Sequence, residues 1–281
     1  MLTYAAALAF PNIDAVAFEI GPFTVKWYGL AYMAGLLIGW WYVKRLISDP
    51  RLWRGGKAPI TNDQGDDLLL WVTLAVIVGG RLGQVLLYDP GYYSQHPIEI
   101  FKTWKGGMSF HGALIASGLV LLVFARHIKV SALSVMDVCC ASVPAGLFLG
   151  RVANFINAEH WGREAPEVSW AVLFPNGGPV ARHPSQLYEA ALEGLVMFVI
   201  LRFCTHKLFG LQRPGFVTGV WLVWYAIART ICEFFREPES EHALNVGVFT
   251  AGQMYSIPML LLGLYLIFHA VTAHSSHKAA L

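Results

Sequence analysis

Apolar residues in this chain gather into long runs separated by short polar interludes, and strict alternation is rare. Seven runs approach the roughly 20 residues that a helix needs to cross a bilayer. They cover about 24–43, 68–88, 110–126, 132–150, 185–203, 215–235 and 250–270. Several contain Gly, Pro or a charge, which membrane helices tolerate when packed against neighbours. The pattern predicts an all-α integral membrane protein: seven transmembrane helices forming a single polytopic membrane domain over 1–281, with no internal repeat.

The polar interludes that matter most are 89–109, 151–184 and 236–249. The second is too long for a simple turn. Its "APEVSWAVLFPNGGPVARHPSQLYEA" carries a candidate strand at Ser169–Phe174 and a turn at Asn176–Gly178, so a small head at about 151–184 is expected. The first, "DPGYYSQHPIEIFKTWKGG", has the aromatic and basic mix of an arm lying on the membrane surface.

Charge gives the spans a direction. If the first span exits to the cytoplasm, eleven of the 20 Lys and Arg collect on that side, seven on the other, and Arg81 and Arg229 fall inside spans. The positive-inside rule then places the N-terminus and the head outside and the C-terminus in the cytoplasm. Composition agrees with a membrane protein: 56% hydrophobic and 14% charged residues, with 10 Trp, 11 Tyr and 17 Phe, and a mean hydropathy of +0.51. A net charge of +2 without a Lys/Arg-rich block argues against a nucleic-acid partner. "MLTYAAALAFPN" lacks a basic n-region, so no cleaved signal peptide is expected. Cys139, Cys140, Cys204 and Cys232 lie in apolar stretches without metal-like spacing, and neither a metal nor a cofactor is expected.

Against this background, polar residues at the outer edge of the spans need a reason, because burying them unpaired is costly. In "FVTGVWLVWYAIARTICEFFREPE", Tyr225, Arg229 and Glu233 recur every four residues, and Arg236 follows on the same helical face, further toward water and expected to matter less. Two readings are open: a self-neutralising Arg229–Glu233 pair, or a stripe lining a polar cavity. In "GRVANFINAEHWG", Arg151 and Asn154 share a face. Glu159 joins them only if the helix has already ended, with Gly162 the candidate cap. Arg151 alone could be a snorkelling arginine at a helix end. "GGMSFHGALIAS" places His111 at the start of the third span, as a structural histidine or a base. "ARHPSQLYEA" brings Arg182, His183, Gln186, Tyr188 and Glu189 to the start of the fifth, and "KWYGLAYMAG" brings Tyr28 to the first. Several guanidinium groups beside amides and tyrosines suit a phosphate-bearing ligand, since Arg offers a charged bidentate fork. At this depth the available phosphate is a phospholipid headgroup. A transporter or flippase with such a cavity should often show related halves, and none are visible.

These residues carry a resemblance. Gly150, Arg151, Asn154, Phe155, Asn157, Glu159 and Gly162 form a pattern that resembles the signature of bacterial prolipoprotein diacylglyceryl transferases. "WYGL", "GGRLGQVLLYDP", "GGMSFHG", "RHPSQLYEA" and the Tyr225/Arg229/Glu233 stripe resemble further family landmarks in order. The family's usual His-Gly-Gly is here His111, Gly112 and Ala113, with Ala116 where a glycine is common. The resemblance implies transfer of the sn-1,2-diacylglyceryl group from phosphatidylglycerol to the lipobox cysteine of a preprolipoprotein, giving a thioether and glycerol 1-phosphate. The implied setting is a multi-pass enzyme of the bacterial plasma (inner) membrane with an outward-facing active site.

For the site, the resemblance implies that Arg151 binds the lipid headgroup, with Tyr28, Asn154 and Glu159 orienting ligand or arginine. His111 and Arg229 would be catalytic, supported by Gly162, Tyr225, Glu233, His183, Gln186 and Tyr188. A thiol of pKa about 8.5 needs a base or a positive field to become thiolate. His111 suits the first role, and the arginines alone could supply the second.

Overall fold

The computed structural model describes residues 7–11, 13–21, 23–103, 106–237 and 250–279. Lys105 of the expected arm, most of the 236–249 interlude and both chain ends lie outside the described residues. The chain forms two compact units, Val43–Met136 and the combination of Met1–Tyr42 with Asp137–Leu281.

The Val43–Met136 unit is built on two helices. Helix α1 (Trp27–Ile47) reaches into it with its last turn, and α2 (Asn62–Gly83) starts at a capping box in which Thr61 and Gln64 satisfy each other's amides. Lys44 Nζ and Asp66 pair at 2.8 Å beside that start. A π-helical turn, Gln84–Tyr88, continues α2, and the short α3 (Pro90–Gln95) follows. Helix α4 (Phe110–His127) lies against α2 with almost no side chain between them. A Cβ built on Gly83 would sit 2.7 Å from Gly112 Cα, and one on Gly79 would collide with the Ala116 methyl. Small residues four apart on both helices allow this approach, as at many membrane helix crossings. The Ala116 methyl is accommodated because Gly79 has none. Buried Arg81 fastens the arm, donating to the carbonyls of Glu99, Ile100 (2.8 Å), Gly106 (2.7 Å) and Gly107 (2.9 Å).

The other unit opens with β1 (Leu8–Ala9) and the antiparallel hairpin of β2 (Val16–Ile20) and β3 (Phe23–Lys26). The hairpin corrects the all-helical expectation. Its "VAFEI" and "FTVK" are ordinary strand sequences on either side of a Gly-Pro dipeptide, and the first predicted run therefore turns helical at Trp27 rather than at 24. Helix α5 (Ala132–Ile156) meets α1 where a Cβ on Gly35 would lie 2.9 Å from Gly146 Cα. Strand β4 is only Val172–Leu173, narrower than expected, and pairs in parallel with β1. The turn that follows has Gly178 at φ +86°. Ala158, Val172 and Phe174 form a small core there, packed by Phe10, Phe155 and Trp161.

Next comes a rod of three joined pieces: α6 (Ser185–Glu189), a π-helical stretch Ala190–Val196, and α7 (Met197–His206). The wider turns leave the Leu192 carbonyl for the Trp224 indole, which donates to it at 2.9 Å. Helix α8 (Phe216–Glu233) has a glycine, Gly215, in the capping position. Its free amides are satisfied from α5, where the fully buried Asp137 carboxylate accepts from Gly215 N (2.8 Å), Thr218 N (2.7 Å) and Thr218 Oγ1 (2.6 Å). Helix α9 (Ala251–Ala279) packs on α8 where Gly219 approaches Gly263.

Each of the seven predicted runs lies largely on helix, the first of them after its opening residues in β3. Among the described residues, three helical stretches are long and apolar enough to cross a membrane: Asn62–Tyr88, Ala132–Ile156 and Gly252–Ala273. Large apolar side chains such as Leu86, Val123, Leu261 and Phe268 are more than 60% exposed. Such faces are unusual on a soluble monomer and ordinary in contact with lipid.

Candidate active site

The site begins where α5 stops. Ala158 takes a left-handed φ of +53°. The Glu159 amide then donates to the Asn154 carbonyl at 2.9 Å, and the Ala158 amide to Phe155 at 3.0 Å. This bond pair terminates many helices, usually with glycine at the left-handed position. Here the methyl of Ala158 is itself buried in the small core. The turn brings Glu159 back, so that Asn157 Nδ2 donates to Oε1 at 3.1 Å and Asn154 Nδ2 approaches Oε2 at 3.4 Å.

Gly162 does not cap α5, contrary to the sequence expectation. It forms an antiparallel bridge with Arg236, and a Cβ there would lie 2.7 Å from His183 Cβ. The glycine serves a close backbone crossing. Gln186, fully buried, fixes the same turn by donating to the Glu159 carbonyl, and Ser185 Oγ donates to His160 O at 2.9 Å.

Behind this turn lies a cluster of charges. Arg151 comes from α5, Glu189 and Glu193 from the α6–α7 rod, Arg229 and Glu233 from α8, and Arg236 from just beyond it. Glu189 is the hub: Arg151 Nε lies 3.1 Å from Oε2, while Arg229 Nη1 (2.8 Å) and Arg236 Nη1 (2.9 Å) share Oε1. Arg229 also pairs with Glu233 at 2.6 Å, and Arg151 with Glu193 at 3.3 Å. Glu189 and Glu193 have fully buried side chains, whereas Arg151 and Arg229 keep 20% and 17% of theirs exposed. Arginine paired to carboxylate makes such burial tolerable. On α9, Gly252 leaves room for the Arg229–Glu233 pair, since a Cβ there would collide with the carboxylate. Tyr225 on α8 stacks on Trp221 at 5.4 Å and interacts electrostatically with Glu193, Arg229 and Arg151.

The Arg229–Glu233 pair foreseen in the sequence therefore exists, inside a larger network. Glu193 was not foreseen and Glu189 was not given a role. The available signal was two carboxylates four residues apart in an apolar run, without a basic partner on their own helix. Arg236 was placed toward water by continuing the α8 stripe outward. That is corrected: α8 ends at Glu233, the chain turns, and Arg236 is buried on Glu189.

Tyr28 on α1 lies against Tyr32, hydroxyls 3.1 Å apart, and interacts electrostatically with Glu159 and Arg151. His183 and Tyr188 sit beside the cluster's outer turn, with His183 Nδ1 at 3.1 Å from the Tyr188 hydroxyl, which also accepts from Trp170 Nε1 at 2.7 Å. Partial burial pushes the His183 pKa down, opposed by Glu167. His111 belongs to the Val43–Met136 unit, where its exposed ring lies 3.0 Å (Nδ1) from the Tyr88 hydroxyl. Among the described residues no group of three or more His, Cys, Asp or Glu is arranged to hold a metal ion.

The profile of the family described as "Prolipoprotein diacylglyceryl transferase" matches residues 15–269. The chain belongs to this family. A protein of Rhizobium meliloti named "Phosphatidylglycerol--prolipoprotein diacylglyceryl transferase" is 48% identical over 272 residues, 96% of this chain and 97% of its own. Proteins of the same name from Nitrobacter winogradskyi and Rhodopseudomonas palustris are 49% and 50% identical, covering 94% and 92% of this chain and 90% of each relative. Membership among the prolipoprotein diacylglyceryl transferases agrees with membrane-length apolar helices and with arginines gathered from three separate parts of one unit.

Proposed function

We propose that this chain transfers the sn-1,2-diacylglyceryl group of phosphatidylglycerol to the lipobox cysteine of preprolipoproteins, the first step of bacterial lipoprotein maturation. The observation that carries the site assignment is the arginine cluster: two guanidinium groups, Arg151 and Arg229, sit partly open above buried carboxylates. Their forks suit the oxygens of a phosphate diester. The cysteine sulfur attacks the glycerol carbon that bears the phosphate, a carbon–sulfur bond forms, and the carbon–oxygen bond breaks. The electron pair leaves on glycerol 1-phosphate, where Arg151 and Arg229 stabilise the added charge. Asn154, Glu159 and Tyr28 orient Arg151 and the headgroup, while Tyr225 and Glu233 do so for Arg229. Gly162, His183, Gln186 and Tyr188 hold the turn beside the cluster. The thiol proton goes to His111, a role that rests on the chemistry of imidazole near neutral pH.

The proposed setting is the bacterial inner membrane, crossed by seven helices, with the N-terminus and the head outside and the C-terminus in the cytoplasm. The partners are the bilayer, its phosphatidylglycerol and lipobox segments of secreted precursors. Purified protein given phosphatidylglycerol and a lipobox peptide should add one diacylglyceryl mass to the peptide, and phosphatidylethanolamine should replace the donor poorly. No mass gain would refute the activity. Cysteine labels at 163–180 should react from outside intact cells; labelling only after permeabilisation would reverse the orientation.

A further inference from the structure

Glu193 is the least satisfied charge in the cluster. Its carboxylate is fully buried, Oε2 is met by Arg151 Nη2 at 3.3 Å, and Oε1 has no hydrogen-bond partner among the described residues. The charged and titratable groups around it are Arg151 from α5, Tyr225, Arg229 and Cys232 from α8, and Glu189 one turn earlier on its own rod. Glu189 repels it and is itself engaged by three arginines.

Formal charge within this group is balanced, with Arg151, Arg229 and Arg236 against Glu189, Glu193 and Glu233. A phosphate diester entering the site brings one further negative charge into a region that excludes water. It competes for the fork of Arg151, the cation that meets Glu193. A buried carboxylate deprived of its cation takes up a proton rather than stay charged.

We infer that Glu193 is the charge-compensating residue of the lipid site: it becomes protonated as the lipid phosphate takes over Arg151, so that binding consumes about one proton. The inference rests on the reading of Arg151 as a phosphate ligand. It also has a consequence at the chemical step. Once neutral, Glu193 no longer competes for Arg151 when the departing glycerol phosphate gains its second negative charge.

The test is calorimetric titration of the detergent-solubilised full chain with short-chain phosphatidylglycerol, at one pH, in two buffers of different ionisation enthalpy. Uptake of about one proton per lipid is expected, and the Kd should rise about tenfold per pH unit wherever Glu193 is ionised in the free protein. Glu193→Gln should bind the lipid with a pH-independent Kd and no proton uptake. Saturable wild-type binding without proton uptake, or a variant that still takes up the proton, overturns this inference alone. Absence of saturable binding overturns the phosphate-site reading and this inference with it. Should Glu193→Gln not fold, infrared difference spectra of the wild type replace it. A protonated-carboxyl stretch that grows on lipid binding is expected, and its absence overturns the inference.

Discussion

Removing the hub carboxylate, Glu189, tests the cluster most directly. Three guanidinium nitrogens lie 2.8–3.1 Å from its oxygens. With an effective dielectric constant of 20, each contact corresponds to about 5 kcal/mol of Coulomb energy, most of which the burial of the charges offsets. What remains to be lost is set by the arginines left behind. Arg229 keeps Glu233 at 2.6 Å, and Arg151 keeps Glu193 at 3.3 Å. Arg236, itself buried, loses Glu189, which it meets at 2.9 Å. Breaking a buried pair from one side costs about 3–5 kcal/mol, so Glu189→Ala should destabilise by that amount. Glu189→Asp should recover part of it, retaining the charge with a shorter reach. Thermal midpoints in detergent and turnover per folded molecule, measured on the same preparations, separate stability from positioning. Turnover of the folded fraction should fall on the order of 100-fold, because Arg151 and Arg229 lose the group that aims them. A wild-type midpoint and turnover for Glu189→Ala would refute the reasoning, since no hub can be removed unnoticed.

Replacing Arg229 and Glu233 together by apolar residues of similar volume should leave a folded protein whose lipobox-peptide turnover drops by about 100- to 1000-fold; near-normal turnover would return the pair to a structural role. Arg236→Ala, expected from sequence to matter little, should lower stability by about 3–5 kcal/mol, read as a reduced thermal midpoint. Asp137→Asn, which replaces an acceptor oxygen by a donor at the start of α8, should cost about 1–3 kcal/mol and leave the KM for lipid unchanged. His183 favours its neutral form in the fold, so its contribution to stability is present above about pH 6.5 and is lost as pH falls through that value toward the lower folded pKa. His183→Gln should flatten that part of the stability–pH curve, and an unchanged curve would exclude the effect.

The elements legible in the sequence were those encoded locally. Apolar runs located the helices because each run is its own signal, and the stripe of Tyr225, Arg229 and Glu233 could be read from one helix's periodicity. The return of Glu159 toward Asn154 was legible too, once the helix was required to end. Glu193 escaped notice and Glu189 was left without a role because their partners come from other helices, and a periodicity argument sees neighbours only along its own chain. Arg236 was misplaced for a related reason: an extrapolated helix points outward, while the real chain turns after Glu233 and folds inward. Strand β3 was lost inside the first apolar run, where β-branched and aromatic residues serve a strand as well as a span, and β2 lay ahead of that run, where no element was expected.

The short β1–β4 ladder sets an order of events during synthesis. Leu8 and Ala9 are made well before their partners, Val172 and Leu173. Until those appear, the leading segment has nothing to pair with, and every helix from α1 to α5 is made while it waits. Contacts so distant along the chain form slowly, because a long loop must close before any bond rewards the closure. The packing around β1 and β4 is therefore a late product, and the segment that carries β1 waits for it. A bulky insertion beside Leu8 would burden a ladder of two residues at the moment it must close.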